Sequence, residues 1–356
     1  MRISIVGVGL IGGSIALAAR ERLDADVTGY DTSEHALESA LSRGVIDQAE
    51  QDLVRAVDGA SAVFVASPVG TLPVTVSAAL EAVGPQCVVS DVGSTKRDIV
   101  AAVTDPRFVG GHPLAGAETA GVEHARPDLF DGATWYLTPL PTTSGILYER
   151  LYRLLRGFGA RPVAVDPQWH DDALAAVSHL PHVLANTLVD RAARTLSADT
   201  HPVPATGPSF RDATRVAGAP SSVWTDIYLS NADAIIKQIR ETATSLEQIR
   251  EALDQRDSAW LTNWNDQAAA RRAQLIESQL GAGPLIELRA SVPNRPGVVA
   301  QLALELGRAG VNIVDLALHP APDMSEGVIA LWVSGTAAAA QAQALVRELG
   351  YPVAIR

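Results

Sequence analysis

Short apolar runs alternate with longer stretches of helical spacing along the first part of the chain. The runs are rich in β-branched residues and cover positions 3–6, 27–30, 62–66, 88–91, 108–109, 135–138 and 162–165. Runs that are apolar throughout are typical of strands buried on both faces of a parallel sheet. The alternation therefore predicts an α/β domain over residues 1–165 with a doubly wound, mostly parallel sheet.

The pattern changes after residue 165. Residues 166–280 lose the strand-like runs, and apolar positions between Tyr228 and Leu253 recur every three or four residues. This spacing predicts one long amphipathic helix within an all-α domain. A stripe of that length needs partner helices, which a homodimer with interlocked helices would supply. A monomeric helical bundle is the alternative.

A third pattern begins after the Gly-Ala-Gly-Pro linker at residues 281–284. The order strand, helix, strand, strand, helix, strand predicts a ferredoxin-like βαββαβ module over residues 284–356. The length of 356 residues, 47% of them hydrophobic, is sufficient for two or three domains with substantial cores.

The first strand runs directly into a glycine-rich segment, Gly7-Val8-Gly9-Leu10-Ile11-Gly12. Glycines at this spacing, with a strand before and a helix after, are the signature of a dinucleotide-binding Rossmann turn. Gly7 permits the tight turn, Gly9 the approach of a pyrophosphate, and Gly12 close packing of helix on strand. The N–H groups at the start of the helix, around Leu10 and Ile11, are predicted to bind the phosphates.

Asp31 ends the second predicted strand. An acidic residue at this place hydrogen-bonds the adenine ribose hydroxyls and repels a 2′-phosphate, so the cofactor predicted is NAD rather than NADP. The alternative is a glycine-rich turn followed by a surface aspartate.

Three polar residues follow later strands of the predicted sheet, namely Ser67, Ser94 and His112. Ligands bind at the carboxyl ends of strands in open α/β sheets, so these side chains should converge beside the nicotinamide. His112 follows Gly110-Gly111, where we predict a sharp turn, and histidine is suited to proton transfer near neutral pH. Ser94 either hydrogen-bonds His112 and fixes its tautomer, or caps the helix that begins near Thr95.

The helical region contains further candidate residues. His170-Asp171 and the histidines of residues 178–182 could bind a metal, but no cysteine supports such a site and Pro181 interrupts helical ligand spacing. We therefore predict no metal. Arg211 and Arg215 are suited to bidentate carboxylate binding, although solvated surface arginines are the alternative.

Charge and composition exclude several functions. A net charge of -12 argues against a surface for nucleic acid or anionic membranes. One cysteine, Cys87, allows no disulfide within the chain. The chain starts in a strand without a signal peptide and has no long apolar segment, so a cytoplasmic protein is expected.

Four motifs in the same order resemble the prephenate/arogenate dehydrogenase family of tyrosine biosynthesis, with a C-terminal ACT domain. The most specific is Gly-His-Pro-x-x-Gly-x-Glu-x-x-Gly at residues 111–121. The others are residues 91–96, 178–182 and 210–215, the last followed by Trp224. The resemblance covers essentially the whole chain.

The resemblance implies roles for individual residues. His112 would hydrogen-bond the ring hydroxyl of the substrate with Ser94 as its partner, and Arg215 would anchor the ring carboxylate. His182 would be a second contact to the substrate. Further implied residues of the pocket wall and its polar network are Glu118, His170-Asp171 and Trp224. In the ACT module an amino-acid effector would bind near Gly297 and Asn312.

The activity implied is NAD-dependent oxidative decarboxylation of prephenate, with feedback by an aromatic amino acid. Arogenate as substrate is the nearest alternative, and Glu118 could either attract its ammonium group or pair with Arg215. A β-hydroxyacid or imine-reducing dehydrogenase is less favoured. Such enzymes typically rely on a lysine in the helical region, where this chain has only Lys237, beside no matched motif. A non-catalytic NAD- and amino-acid-sensing protein is the alternative outside enzymes. Pro208, which has no N–H, replaces part of a glycine-rich run usual in the family.

Overall fold

The computed structural model describes residues 1–116, 119–197, 206–280, 284–293, 313–321 and 325–356, with residues 298, 301–302, 305–306 and 309–311 between them. The chain forms two compact units, residues 1–244 and 245–356. No helix among the residues described is long and apolar enough to cross a membrane.

An eight-stranded sheet forms the centre of the first unit. Its strands are β1 Arg2–Val6, β2 Asp26–Tyr30, β3 Gln48–Glu50, β4 Ala62–Val65, β5 Val88–Asp91, β6 Phe108–Pro113, β7 Thr134–Thr138 and β8 Arg161–Ala164. Their order is β3-β2-β1-β4-β5-β6-β7-β8, and every neighbouring pair is parallel except β6 with β7. The predicted Rossmann-type, mostly parallel sheet is confirmed.

Helices cover both faces of this sheet. They are α1 Leu10–Leu23, α2 Glu34–Ser42, α3 Leu53–Val57, α4 Leu72–Ala82, α5 Arg97–Ala102 and α6 Gly145–Gly157. The apolar residues form two separate buried clusters, as expected for a sheet between two helical layers. Phe64, Trp135 and Phe158 are in edge or tilted ring contact in the larger cluster.

The sharp turn predicted at Gly110-Gly111 is wrong. Strand β6 continues through both glycines to Pro113, pairing first with β5 and then with β7. A Cβ on Gly110 would lie 2.4 Å from Thr138 Oγ1, and one on Gly111 would lie 2.6 Å from the Asp91 carbonyl oxygen. Glycine is required here because neighbouring strands and side chains come unusually close, and neither glycine has a positive φ.

The described residues of the 166–280 region, 166–197 and 206–280, are mainly helical, as predicted. The helices are α7 Pro167–Leu174, α8 Leu180–Ser197, α9 Pro208–Thr214, α10 Ser221–Ser230, α11 Ala232–Asp254 and α12 Ser258–Leu280. A π-helical turn, Ala175–His179, joins α7 to α8, and a 3₁₀ turn, Arg215–Gly218, precedes α10.

The long helix predicted from Tyr228 to Leu253 is present as α11, but it begins at Ala232, and Tyr228 belongs to α10. The chain leaves helical geometry at Asn231, with φ -121° and ψ 28°, so that α10 and α11 are separate helices. The side chain of Asn231 is fully buried and hydrogen-bonded to other segments. Tertiary hydrogen bonds at this one position therefore interrupt a continuous apolar stripe.

The second unit contains a four-stranded antiparallel sheet. Its elements are β9 Leu285–Pro293, β10 Ile313–Pro320, β11 Glu326–Ser334, α13 Thr336–Glu348 and β12 Val353–Ile355. The strand order is β10-β11-β9-β12, and the described residues between β9 and β10 include helical positions with buried Leu302 and Leu306. These elements follow the predicted βαββαβ order. Gly297 and Asn312 lie outside the described residues.

Candidate active site

A cavity of about 620 Å³ lies beside the glycine-rich turn, at the carboxyl ends of β1, β2 and β4. Gly7 has a φ of +98°, and a Cβ there would lie 2.6 Å from the Ala66 carbonyl oxygen. A Cβ on Gly12 would lie 2.0 Å from the Gly7 carbonyl oxygen, whereas Gly9 faces open space. The three glycines thus serve a tight turn, close packing of α1 on the turn, and an open approach to the backbone.

Polar groups around this cavity fit a dinucleotide. The Asp31 carboxylate lines it and is held by the backbone N–H groups of Val8 and Ser33, both at 2.8 Å. Ser67 Oγ is buried there without a hydrogen-bond partner among the described residues. No side chain caps the start of α1, so the N–H groups of Leu10 and Ile11 remain for an anionic ligand.

A second cavity, of about 320 Å³, lies between the ends of β5 and β6 and the helices that follow residue 166. Its polar or aromatic lining residues include Ser94, His112, Ser178, His179 and Trp224. Leu174, Val177 and Ile227 supply an apolar wall. A few polar groups set in an apolar wall are typical of a small-molecule binding pocket.

A chain of three buried residues leads from this cavity into the protein. His112 Nδ1 lies 2.9 Å from His170 Nε2, and His170 Nδ1 lies 2.8 Å from Asp171 Oδ1. The same carboxylate accepts hydrogen bonds from the backbone N–H groups of Lys96, at 2.8 Å, and Arg97, at 2.9 Å. Asp171 therefore caps the start of α5 and orients His170 at the same time.

The hydrogen bonds of this chain restrict where its protons can lie. Burial disfavours the Asp171 carboxylate, but its bonds to His170 and to the Arg97 and Lys96 N–H groups prevail and hold its pKa below the usual value. An ionised carboxylate only accepts, so His170 Nδ1 carries a proton. When the ring of His170 carries this proton alone, its Nε2 accepts from His112 Nδ1–H. His112 Nε2 is left as a hydrogen-bond acceptor for the cavity.

His112 is held in the neutral form. Burial is the main cause, and electrostatic interactions with His170, Lys96 and His179 act in the same direction, so the pKa of His112 lies well below 6.5. At neutral pH the cavity therefore contains a histidine ready to accept a proton.

A buried ion pair supports the same strand ends. Asp91 accepts from the backbone N–H groups of Gly111, at 3.0 Å, and Gly93, at 2.8 Å, and it pairs with Lys96 Nζ. Both side chains of the pair are fully buried. Burial lowers the pKa of Lys96, and Asp91 opposes that shift. The pair connects β5, β6 and the start of α5, and so holds the residues on either side of the cavity in register.

Two family models match successive parts of this chain. The model described as prephenate dehydrogenase, nucleotide-binding domain, matches residues 15–164, and the one described as prephenate dehydrogenase, dimerization domain, matches residues 166–267. The chain belongs to the prephenate dehydrogenase family. The chain is accordingly an NAD-dependent dehydrogenase, and the cavity beside Gly7–Gly12 has the groups that such a cofactor requires.

Curated relatives and solved structures agree with this assignment. The prephenate dehydrogenase of Bacillus subtilis is 33% identical over 338 residues, which cover 92% of this chain and 90% of the relative. The prephenate dehydrogenase of A. aeolicus, solved in complex with hydroxyphenyl propionate and NAD+, is 29% identical with a TM-score of 0.71. That match covers 77% of this chain and 98% of the other. An arogenate dehydrogenase from Synechocystis is 27% identical, with a TM-score of 0.67 and coverage of 77% and 100%.

Neither interpretation of Ser94 is observed. Its side chain lines the cavity together with His112, but His112 Nδ1 is bonded to His170. The N–H groups at the start of α5 are bonded to Asp171 rather than to a serine. His170, five residues beyond the predicted domain boundary, takes the place that sequence reasoning gave to Ser94.

Trp224 and His182 form a stacked pair. Trp224 lines the cavity, and the His182 ring lies behind it, parallel within 3°, with a centroid distance of 3.5 Å. His182 Nδ1 is hydrogen-bonded to the Tyr228 hydroxyl and, at 3.2 Å, to Asn186 Nδ2. Burial lowers the pKa of His182, and the Val216 carbonyl opposes this shift. The structure places Trp224 at the cavity surface and His182 in the layer behind it.

The remaining predicted residues lie elsewhere. Arg215 is exposed at the start of the 3₁₀ turn, and it is not part of the cavity lining. Glu118 lies outside the described residues. Within the part of the chain that the structure describes, no cluster of three or more metal-ligating side chains is present.

Sequence reasoning did not identify three residues that hold the cavity together. Lys96 and Arg97 follow the Asp91–Thr95 segment, and Asn231 separates α10 from α11. The motif at residues 91–96 includes Lys96, to which no partner was assigned, and ends one residue before Arg97. A polar residue inside the apolar stripe was the available signal for Asn231.

Proposed function

We propose that this chain oxidises and decarboxylates prephenate to 4-hydroxyphenylpyruvate, with NAD+ as hydride acceptor. The observation that supports this most directly is the neutral, buried His112, whose Nε2 is an acceptor that faces the second cavity. This cavity lies at strand ends next to those that carry the dinucleotide turn. A hydroxyl group that is oxidised needs such an acceptor for its proton.

The chain's own residues can move that proton. His112 Nε2 accepts the hydroxyl proton as the carbon–hydrogen bond breaks, and its Nδ1–H bond to His170 spreads the resulting charge toward Asp171. NAD+, when bound, supplies the acceptor for the hydride. Carbon dioxide leaves as the ring becomes aromatic, and His112 returns the proton to the phenolic oxygen.

Other residues are proposed to bind and orient the substrate. Ser94 is the second polar group beside His112, and Trp224 is one wall of the pocket, supported from behind by His182. Arg215 is our proposed anchor for the ring carboxylate, by analogy with the family motif that it ends. Glu118 belongs to the same proposed set.

Arogenate is the second candidate substrate. The likeness to the Synechocystis arogenate dehydrogenase supports it, because its TM-score of 0.67 is close to the 0.71 of the A. aeolicus enzyme. On its side chain arogenate carries an amine where prephenate carries a keto group. This difference is far from the hydroxyl that His112 would contact.

We also propose that the protein works as a homodimer regulated through its C-terminal unit. The model matched by residues 166–267 describes a dimerization domain, and α10 and α11 expose Leu229, Ile236 and Ile239 to 73%, 44% and 41%. The βαββαβ order of residues 284–356 supports an ACT module that binds an aromatic amino acid, tyrosine being our choice.

One set of assays tests the proposed substrate, cofactor and effector. NADH or NADPH formation is followed with prephenate and with arogenate, each with NAD+ or NADP+, with and without tyrosine. We expect the highest kcat/KM with prephenate and NAD+, and inhibition by tyrosine. Higher kcat/KM with arogenate would transfer the assignment to that substrate, and no turnover with either would revive the sensor hypothesis.

A further inference from the structure

Asn231 connects three segments around the second cavity. It is fully buried between α10 and α11. Its Oδ1 lies 2.8 Å from an Arg97 guanidinium nitrogen, and its Nδ2 lies 2.8 Å from the Asp171 carbonyl oxygen and 3.1 Å from His179 Nδ1. These contacts indicate that Asn231 does more than end a helix, because its side chain connects α5, α7 and the π-helical turn.

The partners determine the orientation of the amide. A guanidinium group only donates, so the atom facing Arg97 must be the amide oxygen. A backbone carbonyl only accepts, so the atom facing Asp171 must be the amide nitrogen. The two requirements agree, and the NH₂ group therefore also faces His179.

This orientation fixes the tautomer of His179. Its Nδ1 faces a donor, so Nδ1 accepts and the proton of the neutral ring is on Nε2. The ring is neutral because burial, opposed by the charge of Asp171, lowers the pKa of His179 to about 4.

The Nε2–H of His179 is available to a ligand. Among the described residues, the hydrogen bond of this ring is the one that Nδ1 accepts from Asn231, and none involves Nε2. His179 lines the same cavity as His112, with 1% of the residue exposed.

We propose that Asn231 is a positioning residue that holds His179 as an Nε2–H donor for a carboxylate oxygen of the substrate. The proposal rests on the proposed function, since prephenate and arogenate carry one hydroxyl group and two carboxylates. The cavity then offers an acceptor, His112 Nε2, for the hydroxyl and a donor, His179 Nε2–H, for a carboxylate.

One group of side chains sets both tautomers. Arg97 bonds to the Asp171 carboxylate through Nε, at 3.2 Å, and to Asn231 through its terminal nitrogen. Asp171 acts on His112 through His170, and Asn231 acts on His179 directly. The opposite hydrogen-bonding characters of the two cavity histidines thus have a common structural origin.

The first test observes the tautomer in the full-length wild-type protein. The protein is labelled with ¹⁵N-histidine, long-range ¹H–¹⁵N spectra are recorded at neutral pH, and the His179 signals are assigned by their loss in His179→Phe. We expect a neutral ring protonated on Nε2. A ring protonated on Nδ1 overturns the proposal, whatever the activity of the enzyme.

The second test measures what the donor does for binding. Asn231→Leu keeps the side-chain size and removes the amide, and we expect the KM for prephenate to rise roughly tenfold or more with little change in the KM for NAD+. Ser230→Ala is the matched control, because Ser230 bonds to Thr95 across the same junction, at 3.0 Å, without a contact to either histidine. A similar KM increase in Ser230→Ala would indicate a structural role and count against the proposal.

A double-mutant cycle separates action through His179 from general damage. In the His179→Phe background, Asn231→Leu should raise the KM no further, since its effect is transmitted by that ring. Additive losses would contradict the proposal, and if Asn231→Leu does not fold, the wild-type tautomer decides. Absence of turnover with both prephenate and arogenate, combined with an Nε2–H tautomer, would refute the proposed function and leave the role of Asn231 in the tautomer intact.

Discussion

The chemical character of the two histidines that line the second cavity is set by the residues behind them. His112 becomes an acceptor because His170 and Asp171 take the other side of its ring, and His179 becomes a donor because Asn231 donates to its Nδ1. Both rings are kept neutral by burial. The residue type thus supplies a titratable ring, and its surroundings decide what the ring can do.

Replacing His112 by asparagine should remove most of the catalysis while leaving the cofactor site intact. An amide cannot take up the hydroxyl proton, so kcat should fall by roughly two to four orders of magnitude. The dinucleotide cavity lies at other strand ends and does not include His112. Stopped assays for kcat and a fluorescence titration for NADH affinity check the two parts. An equal loss of NADH affinity would show that His112 is structural.

At the scale of single elements, β6 is the strand on which the site depends. It changes partner between β5 and β7 halfway along, and this change places His112 beside α7. The glycines at the change of partner were predicted as glycines of a turn. Sequence reasoning identified the right residues here but gave them the wrong geometry, because close approach of a neighbouring strand is invisible along one chain.

Alanine at Gly111 should therefore be much more damaging than alanine at Gly116. A Cβ at position 111 would lie 2.6 Å from a backbone oxygen and 2.8 Å from Ser90 Oγ, while position 116 has nothing within 4 Å. We expect Gly111→Ala to lose about 1–3 kcal/mol of stability and most of its activity, and Gly116→Ala to change stability by less than about 0.5 kcal/mol. Denaturant unfolding and kcat measure both. Equal behaviour of the two variants would contradict the close-approach explanation.

The exposed apolar face of α10 and α11 gives a second prediction at this scale. An aspartate in place of Leu229, which is 73% exposed, should weaken a dimer whose interface covers it. Analytical ultracentrifugation over a range of concentrations measures the effect. Val74→Asp on α4, where Val74 is 76% exposed, is the control that should leave the association unchanged. A dimer that is unaffected by Leu229→Asp would place the interface elsewhere.

For the whole molecule, the buried histidines couple stability to pH. A histidine whose folded pKa is depressed contributes stability that is complete above its unfolded pKa, near 6.5, and is lost as pH falls toward the folded value. For His179, with a folded pKa of about 4, the loss at pH 4 is about 3 kcal/mol. His112, shifted in the same direction, adds to it.

The prediction is that replacing His179 flattens the acid side of the stability curve. The free energy of unfolding is measured between pH 7 and pH 4 for the wild type and His179→Phe. The variant should lose less stability over this window, even if it is less stable at neutral pH. His35→Gln, at an exposed histidine of α2, serves as control and should retain the wild-type slope. Parallel curves for the wild type and His179→Phe would contradict the buried, neutral state of His179.

The sequence by itself determined the local chemistry of this protein. Three features are patterns among near neighbours in the chain: the apolar runs, the glycines at 7, 9 and 12, and the helical spacing after residue 165. They were sufficient to predict the Rossmann-type sheet, the NAD site and the all-α domain. The ordered motifs also identified His112 and Trp224, which both line the second cavity.

The tertiary structure alone decided which residues hydrogen-bond the cavity histidines and the groups behind them. His112 and His170 are 58 positions apart, Lys96 and Asp171 are 75 apart, and Asn231 and His179 are 52 apart. No periodicity along the chain encodes a hydrogen bond between segments so distant. Burial then turned these contacts into fixed tautomers and lowered pKa values, because a polar group without water must be satisfied by whichever partner the fold brings to it.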